Sequence, residues 1–153
     1  MLYIVMSKSN DLDQIVDNLY IGNIKSAEVF GNSFDLVVNC TTDIPRPSNC
    51  KNFIRISVHD TPTESDKMYM EIYRTNVFKE IYNTLKNNGK VLIHCFAGIQ
   101  RSCAVTACYL IWIYGMTPTD VIQFIRSNRP IAFFGDVNFQ KTINNVYENR
   151  KIN

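Results

Sequence analysis

Apolar and polar residues alternate along QIVDNLYIG, residues 14–22, which predicts a short extended pair, and residues 25–30 have the length of one or two helical turns. The β-branched run DLVVN, residues 35–39, reads as a buried strand. TTDIPRPSNC, residues 41–50, is rich in Pro and Ser and reads as a loop, followed by a further strand in FIRIS, residues 53–57. The period then changes. Met70, Tyr73, Val77, Ile81 and Leu85 recur at helical spacing, predicting one helix over 66–85 with Met70, Tyr73 and Val77 on its core face and a stop at Asn87-Asn88-Gly89. KVLIH, residues 90–94, is a short hydrophobic strand, and 101–114 is a mostly apolar helix closed by Gly115. Thr117 suits an N-cap, Pro118 the first helical position and Asp120 the third, where its carboxylate completes a capping box. That helix ends before Pro130, and 136–148 forms a last amphipathic one. Strands alternating with helices imply an α/β domain, a mainly parallel central sheet flanked by helices.

At 153 residues the chain has the size of one domain, 1–153, with 1–13 as an N-terminal arm, and buries roughly 70% of the surface its unfolded form exposes. A composition of 46% hydrophobic and 20% charged residues excludes disorder, and a net charge of +2 is far from that of a dedicated nucleic-acid binder. The opening MLYIVM lacks a basic flank and is too short for a signal core or a membrane span, so it is either a dimerising arm or an edge strand. A homodimer is therefore one expectation, and no membrane partner is expected. Cys40, Cys50, Cys95, Cys103 and Cys108 form an odd set without a CxxC pair or metal-ligand spacing. Free thiols in a reducing, cytoplasmic or otherwise intracellular compartment are expected. Seventeen Asn and eighteen Ile, with Lys outnumbering Arg, are what an AT-rich coding sequence produces, which hints at a virus or a protist.

The chemistry lies in HCFAGIQRS, residues 94–102, between a predicted strand and a predicted helix. A loop so placed curls its backbone N–H groups around a tetrahedral anion at the helix N-terminus. Gly98 frees the turn, and Cys95 sits at the floor, where the helix dipole, the N–H groups and Arg101 stabilise negative charge on sulfur. Arg101 folds back to grip two phosphate oxygens through its planar fork. Cys followed six places on by Arg is expected by composition about 0.2 times; adding His before and Gly three after lowers that to on the order of one in ten thousand. An acid must protonate the leaving oxygen, and Asp60, at a strand's end facing the same sheet edge, is preferred over Glu64 and Asp66.

The segment resembles the H-C-x-x-G-x-x-R-S signature of the cysteine-dependent protein tyrosine phosphatases, and the chain's brevity resembles their dual-specificity branch. The likeness runs from Asn18 to Tyr147, since LYIGN, DLVVN, the acid loop, the signature and the tail FIRSNRP...NF follow that branch's order. It implies the protein tyrosine phosphatase-like fold and hydrolysis of phosphotyrosine and phosphoserine or phosphothreonine on proteins, through a phosphocysteine on Cys95. It implies no metal and no cofactor. By the same likeness Phe96, Ala97, Gly98, Ile99, Gln100 and Arg101 bind phosphate, Ser102 hydrogen-bonds the sulfur and helps it leave, and Arg129 stands at the pocket rim near substrate. Gln100 departs from the Ser, Asn or Lys often seen there, and Val137 stands where the family often has Pro. The absence of an insertion that would wall a deep pocket implies breadth of substrate.

Blander readings stand beside these. His94 is a loop-structuring residue rather than a base; Cys103 and Cys108 are small buried hydrophobes. Cys40 closes a strand behind the loop, and a disulfide to an oxidised Cys95 is a hypothesis. Hydrolysis at RNA 5′-triphosphate ends or of phosphoinositides is the alternative enzyme reading; a phosphopeptide-binding module and a rhodanese-like sulfurtransferase are others. Nucleic acid is disfavoured as a partner by charge, and the apolar Phe96 and Ile99 disfavour inositol phosphates.

Overall fold

A computed structural model describes residues 9–152, so the MLYIVM run lies outside the described residues. The described strands are β1 (Leu12–Val16), β2 (Leu19–Gly22), β3 (Leu36–Asn39), β4 (Phe53–Arg55) and β5 (Val91–His94), in the spatial order β1-β2-β5-β3-β4. β1 and β2 pair antiparallel, closed by Asn18 at φ 64°; the remaining three pairings are parallel. The helices are α1 (Ile24–Phe30), α2 (Ser65–Arg74), α3 (Val77–Lys86), α4 (Arg101–Tyr114), α5 (Pro118–Asn128) and α6 (Gln140–Ile152).

Because successive side chains of a strand point to opposite faces, each central strand feeds two cores. Leu19, Ile21, Leu36, Val38, Val91 and Ile93 face the large core, built with side chains of α2 to α6. Val37 and Leu92 face the other side, where Ala27 of α1, Phe34 and Cys50 complete a smaller cluster. The expected sheet, mainly parallel and covered on both faces, is the observed one. Every residue of α4 from Ser102 to Ile111 is buried, which its nearly unbroken apolar sequence requires. Thr117 caps α5 by accepting from the Asp120 N–H at 3.2 Å.

Two expected helices are corrected. The segment 66–85 is two helices, since Asn76 takes a left-handed conformation (φ 57°) and Thr75 turns its hydroxyl onto the Glu71 carbonyl at 2.7 Å. The break shifts the core face to Met68, Ile72, Val77, Phe78 and Ile81, leaving Met70 67% and Tyr73 39% exposed. The last helix begins at Gln140, four residues later than expected, because residues 136–139 belong to an irregular segment.

Parallel pairing sets the site. Gly22 and Asn39 both pair with His94, so three strand ends form one row at the carboxyl edge of the sheet. The loop from Cys95 to Gln100 leaves from this row, where open α/β sheets bind ligands.

Candidate active site

β5 delivers His94 and Cys95 to the sheet edge, and α4 starts six residues past the cysteine at Arg101. Between them the loop is fastened from both sides: the Cys95 N–H donates to the Gly22 carbonyl at 3.4 Å, and the Phe96 carbonyl accepts from the Ile24 N–H at 3.0 Å. Gly98 turns it at φ 69°, where a Cβ would stand 2.5 Å from the Arg129 guanidinium and 2.8 Å from the Gly22 carbonyl oxygen. Both conformation and space therefore require glycine at 98. Phe96 and Ala97 project outward, and Ile99 is half-buried.

At the floor, Cys95 is only 3% exposed. The Gly98 N–H donates to its Sγ at 3.3 Å and the Ser102 hydroxyl lies 3.2 Å from it. The unpaired N–H groups of the first turn of α4 add positive potential at the same place. Arg101, the first residue of that turn, donates through one terminal nitrogen to the Val58 carbonyl at 3.0 Å, and its Nε is buried without a hydrogen-bond partner among the described residues. A guanidinium so placed keeps donors for an anion in the loop.

The Val58 contact brings the acid segment to the loop. Asp60, two residues on, is exposed, and its Oδ1 accepts from the Asn138 side-chain amide at 3.0 Å. The two rival carboxylates are engaged elsewhere: Glu64 accepts from the His59 N–H at 3.0 Å, and Asp66 pairs with Lys141 at 3.0 Å.

His94 is fully buried, and its Nδ1 lies 3.3 Å from the Cys95 carbonyl. A carbonyl only accepts, so Nδ1 carries the proton and Nε2 is bare. Desolvation pulls the imidazole down to about 4, which keeps the ring neutral at pH 7. Cys40 is buried at the end of β3, its N–H donating to the His94 carbonyl at 2.8 Å. Burial, and then the charge of Cys95, push its thiol well up. The five cysteines are all free.

Arg129 is corrected. It is not at the rim but 1% exposed beneath the loop, donating to the Gly98 carbonyl at 2.8 Å, the Asn10 carbonyl at 3.0 Å and the Asp13 carboxylate at 2.7 Å. With these acceptors taken up and β1 over it, the guanidinium braces the loop from behind. Asn138, Asp13 and the Val58 carbonyl are contributors that sequence reasoning missed. Among them only Asn138 had a signal, its place beside Phe139 in the tail. No group of three or more His, Cys, Asp or Glu residues suited to a metal ion occurs among the described residues, and no described helix is long and apolar enough to cross a membrane.

Residues 19–149 match the family "dual specificity phosphatase, catalytic domain". The chain is 31% identical over 121 residues to a protein named as a tyrosine phosphatase, 123R of Invertebrate iridescent virus 6, covering 78% of this chain and 81% of that one. It is likewise 31% identical over 131 residues to dual specificity protein phosphatase 15 of Rattus norvegicus, covering 80% of this chain but 52% of that protein, so it spans about half the length of this relative. The crystal structure of human DUSP28 superposes with a TM-score of 0.81 at 21% identity over 93% of this chain and 96% of that one, which shows the fold. With the family matched along most of its length, and with the signature loop folded around Cys95, the chain belongs to the dual specificity phosphatases, hydrolases of phosphate monoesters.

Proposed function

We propose that this chain removes phosphate from tyrosine and from serine or threonine side chains of proteins, with Cys95 as nucleophile. The observation that carries this is the floor of the loop, where Cys95 Sγ meets the Gly98 N–H and the Ser102 hydroxyl at 3.3 and 3.2 Å. In the first step sulfur attacks phosphorus, the ester P–O bond breaks, and Asp60 protonates the leaving oxygen. The loop N–H groups and Arg101 hold the equatorial oxygens, whose charge rises in the transition state. In the second step Asp60, now a carboxylate, takes a proton from water as it attacks the phosphocysteine. The P–S bond breaks, and Ser102 donates to the departing sulfur. Neutral, buried His94 fixes the loop backbone and moves no proton.

Two substitutions test the halves separately. Cys95→Ser keeps the cradle but exchanges the thiol for a hydroxyl that stays protonated, so turnover vanishes while binding of inorganic phosphate survives. Asp60→Asn should cost about 10² to 10⁴ in rate on an alkyl phosphate, the usual worth of general acid catalysis, and less on an aryl phosphate whose leaving group needs little protonation. The alkaline limb of the alkyl rate profile should flatten in this variant. Substantial turnover by Cys95→Ser refutes the covalent route, and an unchanged Asp60→Asn enzyme moves the acid to another carboxylate.

A further inference from the structure

Gln100 occupies the N-cap position of α4, yet its side chain does not cap the helix. It is 6% exposed and turned away, into the segment between α5 and α6. Its Nε2 donates to the Phe134 carbonyl at 3.1 Å and to the Asp136 carbonyl at 2.7 Å, while its Oε1 accepts from the Asn138 N–H at 3.0 Å. Both donors and one acceptor position of the amide are thus used on one stretch of backbone. That stretch has no regular structure, and Gly135 within it takes φ 80°. Its shape is therefore set from outside, and Gln100 supplies three of the bonds that set it. The last residue so held, Asn138, turns its side-chain amide onto Asp60 Oδ1 at 3.0 Å.

The phosphate loop and the acid segment are therefore joined by a path of two side chains. An amide N–H can only donate, so Oδ1 of Asp60 is committed as an acceptor and the transferable proton must sit on Oδ2. Asn138 thereby selects which oxygen carries the proton and limits rotation of the carboxyl group. A serine at position 100 lacks the reach to grip the backbone at 134–138, and an asparagine is one methylene shorter. The departure from the residues common in the signature thus matches an irregular segment that needs anchoring.

We propose that Gln100 is a positioning residue for the proton donor, holding Asp60 in place through Asn138. The inference rests on Asp60 being the acid. A positioning role makes a prediction that a merely structural one does not: the loss must follow the leaving group and vanish once the acid is gone. Gln100→Ala and Asn138→Ala are each measured with an alkyl phosphate and with an aryl phosphate of an acidic phenol, in the parent enzyme and in the Asp60→Asn background. Misplacing a catalytic group by a fraction of an ångström to 1 Å lowers the rate by about 10- to 100-fold, so about 10-fold is expected on the alkyl phosphate. No more than about 2-fold is expected on the aryl phosphate, where the acid matters least. On the Asp60→Asn background neither substitution should lower the rate further. Competitive inhibition by inorganic phosphate should be unchanged in both, reporting an intact loop, and Asn138→Ala leaves the anchor from Gln100 in place if Gln100→Ala fails to fold. Equal losses on both substrates, or losses that multiply in full with Asp60→Asn, overturn the inference. An Asp60→Asn enzyme with an undiminished alkyl rate removes the acid assignment and this inference with it, and is told apart by needing no variant at 100 or 138.

Discussion

His94 shows how a single buried group ties stability to pH. Desolvation holds its imidazole at about 4, below the ordinary 6.5, because the ring is fully buried and faces the charge of Arg55. Between those two values the unfolded chain binds a proton that the folded chain refuses. The contribution of neutral His94 is therefore complete above about pH 6.5 and is lost as pH falls toward 4. The gap, at about 1.4 kcal/mol per pH unit, gives an upper figure of ~3 kcal/mol. Asparagine places an amide nitrogen near the position of Nδ1, so His94→Asn retains a donor for the Cys95 carbonyl while removing the titration. Urea unfolding at pH 7, 5.5 and 4.5 should show the parent losing stability steeply and His94→Asn losing much less. Parallel losses in the two chains would show that the acid sensitivity lies elsewhere.

Among the elements, the brace between β1, the phosphate loop and the end of α5 is the one that sequence misassigned. Arg129 and Asp13 form an ion pair whose side chains are 1% and 12% exposed, so removing one partner strands the other with little water. Arg129→Met should cost about 3–5 kcal/mol, and thermal unfolding would show it. A residue that bound substrate at the rim would instead raise KM and leave the melting temperature unchanged. The site itself was legible because the signature is contiguous: strand, loop and helix lie within nine residues, and local spacing alone brings Cys95, Gly98, Arg101 and Ser102 together. Asp60 was legible through its order in the chain. Arg129 was not, because its burial depends on Asn10 and Asp13, more than a hundred residues away, and nothing local tells a covered guanidinium from a solvated one. The same reason hid Asn138, whose partner Asp60 is 78 residues distant. Asn76 was missed differently: one left-handed residue splits α2 from α3 while the apolar spacing runs on across it.

For the whole molecule the deciding quantities are charge and the character of the cleft mouth. The net charge is +2, and between Cys95 and Arg101 no residue is charged. Phe96 stands 61% exposed beside the nucleophile. Polyanions such as triphosphorylated RNA or inositol polyphosphates are drawn by clustered Lys and Arg, and their binding weakens steeply with salt. An apolar lip over a single phosphate cradle instead favours a phosphorylated side chain, with Phe96 offering its ring to the residue that bears the phosphate. Phosphotyrosine and phosphothreonine peptides should both be hydrolysed, phosphotyrosine faster because the phenol is the better leaving group. Rates on both should change little between low and physiological salt, since one bound phosphate on a nearly neutral protein has few counterions to release. Vanadate, which fills the same cradle, should abolish both activities together. A panel of the two peptides, triphosphorylated RNA and an inositol phosphate, each assayed at two salt concentrations with and without vanadate, tests this directly. Turnover confined to the RNA or the inositol phosphate, falling steeply with salt, would remove the protein side chain as substrate while leaving the Cys95 chemistry intact.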